Sequence, residues 1–243
     1  MIADIRTMMW KEWKEILVQG GSRGRWNLVV FVVVFGVCMP FKYGREYVTS
    51  PMSLVNWAWI PLFLVTVVIA DAFAGERERH TLETLLATRL SDEAIFFGKI
   101  CAAVSYGWGM SLASMVAGLI TVNILFAGHG LIMYAPLVVI GIVVVSLLAS
   151  ILATAAGVLV SLRAATVRQA QQALSLSIMA VVLAPIFGIA ALPPNMQGKL
   201  ANALGHAGAA SITAIGCAAL ILLDAGLILA AKSRFKRMRL VLD

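Results

Sequence analysis

One short internal stretch of this chain is rich in charge. Between Gly75 and Lys99 the sequence reads GERERHTLETLLATRLSDEAIFFGK, in a protein of 243 residues of which only 13% are charged. On a helix, Leu82, Leu85, Leu86 and Leu90 share one face, while Glu76, Arg77, Glu78, Arg79, Glu83 and Arg89 fall mostly elsewhere. Ser91, followed by Asp92 and Glu93, supplies an N-cap and an acidic first turn. The pattern predicts a short helix, a turn and a second helix. Periodicity alone is equally served by a solvated helical hairpin.

Two further carboxylates, Asp71 and Asp224, lie in or beside long apolar runs. A carboxylate there is costly and marks an ion or proton relay unless it snorkels or pairs with a nearby base. Asp71 precedes Gly75 by four residues and Asp224 precedes Lys232 by eight, so both readings stay open. Cys38, Cys101 and Cys217 sit in apolar runs without C-x-x-C or Cys/His spacing, which makes them packing residues. His206 has no second ligand spaced near it. Neither GGSRGRWN nor FFGKI has the spacing of a phosphate-binding loop, and H-E-x-x-H is missing. The chain therefore predicts no catalytic, metal or cofactor site of its own.

The elements that position these residues are set by apolar length. With 61% hydrophobic residues the chain exceeds what one soluble core needs. Apolar runs extend over residues 26–41, 54–74, 99–127, 131–162, 173–192 and 211–231. Each helical crossing takes about 20 residues, and a bilayer admits only helices or closed barrels, so the reading is an all-α integral membrane protein with six transmembrane helices. The first run either extends back into GGSRGR or thins the bilayer. The fourth is long enough to protrude before the chain turns back through VSLRAATVRQAQQ. Pro185 predicts a kink or an incomplete fifth crossing. Residues 1–22 form an amphipathic interfacial helix, with Ile5, Met8, Met9, Trp13, Ile16 and Leu17 opposite Arg6, Lys11, Glu12, Lys14 and Glu15. No cleavable leader is expected there, because charge interrupts the apolar residues. Ala149, Ala153 and Gly157 recur every fourth position, as close helix packing requires. Residues 193–210 are read as an external or re-entrant hairpin.

With six spans, 16 of the 19 basic residues fall on the side of both termini and only Lys42, Arg45 and Lys199 on the other. Basic loops are cytoplasmic, so both termini are expected in the cytoplasm of a multi-pass protein of the cytoplasmic (inner) membrane. Topology and anionic lipid account for the net charge of +7, with no nucleic acid needed. The tail KSRFKRMR, with Lys236, Arg237 and Arg239, is expected to bind anionic membrane lipid.

The residues from Glu76 through His80, Thr81, Leu82, Glu83 and Leu86 to Ser91, with Gly98 and Lys99 after them, resemble the cytoplasmic signature of ABC-2 type permeases, an acidic-basic cluster followed by G-T-L-E-x-L-L-x-T-P-L-S and a Gly-Lys. His80 stands where that signature has Gly, and Arg89 where it has Pro. The resemblance covers about a tenth of the chain and places the stretch after the second span, as in the family. It implies a single ABC-2 type transmembrane domain over residues 1–243, with residues 75–98 as a cytoplasmic coupling loop. Its coupling helix would dock into a separate ABC ATP-binding subunit, which holds the ATP and Mg. Glu76, Glu78, Arg79 and Glu83 would make the polar contacts, and Leu82, Leu85 and Leu86 would anchor the helix. A second permease copy or homologue would complete an exporter, with substrate passing between the two. The sparse intramembrane charge favours an apolar or amphipathic substrate. Two other classes fit the same sequence: an ion-coupled secondary transporter using Asp71 or Asp224, and a membrane assembly factor that transports nothing.

Overall fold

The computed structural model describes residues 1–19, 21–50, 53–81, 85, 88–126, 130–199 and 208–235, and the chain is helical without strands among them. Helix α1 (Ile2–Lys14) passes through a π-helical turn, Glu15–Gln19. Helix α2 (Gly21–Val33) continues through a second such turn, Val34–Cys38, into α3 (Met39–Tyr43), so the first apolar run does extend back through the Gly-rich stretch. A short α4 (Glu46–Thr49) precedes α5 (Ser53–Ala70), which runs through a third π-helical turn, Asp71–Gly75, into the single turn α6 (Glu76–Glu78). The long helices α7 (Asp92–Leu125), α8 (Pro136–Ser161), α9 (Val167–Ala190) and α10 (Gly208–Arg234) complete the bundle.

Local chemistry sets several of these boundaries. The Ser91 hydroxyl accepts from Ala94 N at 3.2 Å and starts α7 two turns before Lys99. Thr166 does the same for Gln169 N and starts α9. Pro136 occupies the first turn of α8, where its missing N–H costs nothing. Pro185 does not end α9, which stays helical to Ala190. Residues 194–199 are helical; the rest of the expected hairpin, with His206, lies largely outside the described residues.

Among the described residues, four helical segments are long and apolar enough to cross a membrane: Trp57–Glu78, Asp92–Leu125, Pro136–Ser161 and Thr213–Arg234. The first run yields a shorter apolar helix, Leu28–Tyr43, and the fifth lies in α9. Trp26, Val29, Leu176, Phe187, Leu222 and Leu229 point away from the bundle and are well exposed, as lipid-facing side chains are in a membrane protein.

Small residues let the central helices touch. A Cβ on Gly157 of α8 would run into Ile69 of α5, and one on Gly107 of α7 into Val65. With Ala149 and Ala153 also buried, the four-residue stripe of α8 is packing within the chain. Two apolar clusters result. One, at the end where α1, α5, α7, α8, α9 and α10 meet, includes Met8, Ile69, Phe73, Phe96, Leu174 and Phe235. The other includes Tyr47, Trp57, Leu64, Tyr106, Val122 and Ile142. At the far end the Asn123 amide donates to Ile132 O and accepts from Ile132 N, both at 2.8 Å, and so pins the connection between α7 and α8.

Candidate functional site

Helix α1 does not rest on the bundle by its apolar side chains alone. It runs along the start of α7 because Gly98 leaves room for it: a Cβ there would stand 2.6 Å from Met8 Cβ and 3.3 Å from Ile5 O. Further along, Trp13 Nε1 donates to Ser105 Oγ at 3.0 Å, and its ring meets Tyr106 edge-on. Between these contacts lies Glu12, expected on the polar side of an interfacial helix and in fact buried. Trp10 and Ile2 occupy the exposed side.

Glu12 is buried because a cation is buried with it. The Lys99 side chain is fully enclosed and spends its three N–H donors on Glu12 Oε1 at 2.9 Å, Glu76 Oε1 at 2.8 Å and Ala72 O at 2.7 Å. The Phe73 ring lies 5.4 Å from the ammonium, close enough for a cation–π contribution. Lys99, expected among the cytoplasmic cations, is therefore the interior hub of a network that ties α1, the end of α5 and α7 together. Lys11 closes it from outside, at 2.9 Å from Glu76 Oε1, 2.9 Å from Glu15 and 3.0 Å from Glu12.

Burial alone would lower the Lys11 pKa, but the charge of Glu12 and the hydrogen bonds to Glu76 and Glu15 outweigh it and hold it above the lysine value of 10.5. Its share of the stability is thus complete below that value and is lost only as pH rises through the higher folded one. At neutral pH Lys11 is a fixed cation.

The neighbouring charges grip other elements. Arg79 donates to Asp71 Oδ1 at 2.6 Å and lies 3.6 Å from Glu15. Arg77 donates to Leu162 O at 2.9 Å and Ala164 O at 3.3 Å, and Glu78 Oε2 accepts from Val167 N at 2.9 Å, so both hold the turn between α8 and α9. The Ser161 hydroxyl accepts from Ala74 N at 3.0 Å and fastens the end of α8 to the same place. Lys232 of α10 pairs with Glu93 at 2.9 Å; Lys236, Arg237 and Arg239 lie outside the described residues.

Of the residues expected to meet a partner subunit, Glu76 faces inward and is 4% exposed, while Glu78 and Arg79 are exposed yet bonded within the chain. Leu85 is half-buried against the Met8–Phe96 cluster. Leu82, Glu83 and Leu86 lie outside the described residues. His80 adopts φ 56, the left-handed region that favours glycine, and it is the only non-glycine to do so among the described residues.

Beside the network a cleft of about 660 Å³ opens between α2, α5 and the start of α9. Glu12, Glu15, Asp71, Glu76 and Arg79 line its polar end, and Phe31, Phe63 and Val67 are among the side chains of its apolar wall. Asp224 of α10 is 4% exposed, and neither of its carboxylate oxygens has a partner among the described residues. No group of His, Cys, Asp and Glu with metal-holding geometry occurs among the described residues. A comparison with protein-family models finds no match, and one with curated proteins finds none either.

Proposed function

We propose that this chain is the permease subunit of an ATP-driven ABC-2 type exporter, inserted in the cytoplasmic membrane as six spans with both termini inside. A separate ATP-binding subunit holds ATP and Mg and docks on residues 75–98, and a second permease completes the path. The observation that carries this reading is the wiring of the loop's first turn. Glu76 is bonded into α1 and α7, and Arg77 and Glu78 into the turn between α8 and α9. A push on the loop therefore reaches the interfacial helix α1 and the spans α7, α8 and α9 through short charged contacts, which is what a lever between a nucleotide-driven dimer and membrane helices requires. The left-handed His80 lends support, since the ABC-2 signature carries Gly at that position.

Affinity purification of the chain from its native membrane, in mild detergent, is the test. An ATPase subunit should be recovered with it at comparable amount, and ATP hydrolysis by the complex should respond to reconstitution in a bilayer. Recovery of the chain alone from intact membranes would sink the reading.

Asp224 favours a second reading. A buried carboxylate without a partner in a membrane-spanning helix is the usual mark of a proton or cation relay, as in an ion-coupled secondary transporter. The same purification separates the two, because such a transporter would drive cation-coupled flux in liposomes with no ATPase present.

The topology is checked by labelling single cysteines from either side of the membrane. Substitutions at Lys42 and Lys199 should react from outside and one at Arg89 only from inside. External labelling at position 89 would reverse the orientation.

A further inference from the structure

The cleft beside the ion network is built for a ligand of particular chemistry. Phe63, Val67 and Asp71 follow one another at four-residue spacing on α5, so one wall of the cleft passes from aromatic to aliphatic to carboxylate. Four carboxylates line its polar end with Arg79, and Lys11 and Lys99 pair with Glu12, Glu15 and Glu76, so four negative charges face three positive ones and one negative charge is in excess. One of the carboxylates is incompletely used: Glu76, among the residues that line the cleft, binds both lysines at Oε1, and its buried Oε2 has no partner among the described residues. A buried acceptor left in that state calls for a donor. Arg79 shows what the mouth accepts, for it lays a cationic N–H on Asp71.

We propose that this cleft binds a monovalent amphipathic amine, its protonated nitrogen donating to Asp71 and its apolar body lying along Phe31, Phe63 and Val67. Excess negative charge in a low-dielectric recess selects a cation over a neutral or anionic molecule. A volume of about 660 Å³ holds one ligand of drug size, not a polymer. An anionic inner leaflet would also concentrate such amines beside the opening. Binding at the mouth competes with Arg79 for Asp71, and Arg79 sits on the loop proposed to meet the ATPase. Calling this ligand the cargo rests on the permease reading; the binding itself does not.

The probe is dansylcadaverine, a primary amine with a fluorescent apolar body, and its N-acetylated form, which has the same body without the charge. Full-length chain in nanodiscs of zwitterionic lipid should raise dansyl fluorescence saturably with the amine and bind the acetylated form at least about tenfold more weakly, the worth of one charge-assisted hydrogen bond. Asp71→Asn should weaken amine binding by a similar factor, and Val67→Trp, which fills the apolar wall and leaves every carboxylate in place, should abolish saturation. Equal binding of the two probes, or wild-type binding by Val67→Trp, would overturn the proposal. Since no ATPase is in the assay, the cleft can fail while the permease reading stands, and the reverse.

Discussion

Lys99→Met is expected to destabilise the chain by about 3–5 kcal/mol, the cost of breaking a buried ion pair by removing one partner. The loss is large because the lysine satisfies three acceptors at once, and its removal leaves Glu12 Oε1 and Glu76 Oε1 sharing only Lys11. Two buried carboxylates then oppose each other with one cation between them. Thermal unfolding in detergent, followed by tryptophan fluorescence, should show a fall in Tm on the order of 10 °C for a chain of this size. The partner change separates lost charge pairing from lost packing. In Lys99→Met with Glu12→Met the remaining carboxylate, Glu76, still has Lys11, so much of the stability should return, with an interaction energy of about 1–3 kcal/mol between the two sites. Protease access to α1 should rise in Lys99→Met, since the Lys99–Glu12 pair is one of the charged ties of α1 to the bundle, beside Lys11–Glu76. A Lys99→Met chain as stable as wild type, or strictly additive effects in the double variant, would mean that the network does not hold α1 in place.

That network was only half legible in the sequence, and the reason lies in the reach of periodicity. Ser91 as a cap and the small-residue stripe of α8 are local or single-helix features, and residue types at fixed spacing suffice to read them. Glu12 and Lys99 are 87 positions apart, and each looks like a surface charge when its own helix is read by itself. A signal was nonetheless present in each. Glu12 lies on the stripe of Ile5, Met8 and Ile16, and Lys99 lies four residues after Ile95 and one before Ile100, all on the packed side of α7. Opposite charges intruding on two apolar stripes are what a buried pair looks like before folding brings it together. Gly98 completed the signal, because a helix that must touch another needs a missing side chain beside the charge. The count of spans was read less well. Helix length is local, but Leu28–Tyr43 reaches crossing length only by borrowing polar Gly21–Arg25, and hydropathy does not decide whether a bilayer accepts that loan.

Glu83→Lys, and separately Leu86→Asp, are expected to abolish capture of the ATPase subunit or to leave it bound with hydrolysis no longer linked to transport, while all membrane helices still insert. Reversal of one half-buried interface charge costs several kcal/mol through repulsion and lost pairing, and an aspartate face cannot fill an apolar groove. The first turn of the loop predicts a different failure. Arg77 holds the carbonyls of Leu162 and Ala164 within the chain. Arg77→Ala should therefore keep the ATPase bound but slow transport per ATP hydrolysed, because the push then reaches α8 and α9 only through Glu78 and Ser161. Pull-down gives assembly, and hydrolysis and efflux measured together in proteoliposomes give coupling. The two classes of variant must separate: loop-tip changes act on assembly first, and Arg77→Ala acts on coupling at constant assembly. If the loop were merely solvated, the tip variants would assemble and couple as wild type. If Arg77 served only to stabilise the fold, its variant would lose assembly and Tm together, and the turn between α8 and α9 would have no part in transmitting force.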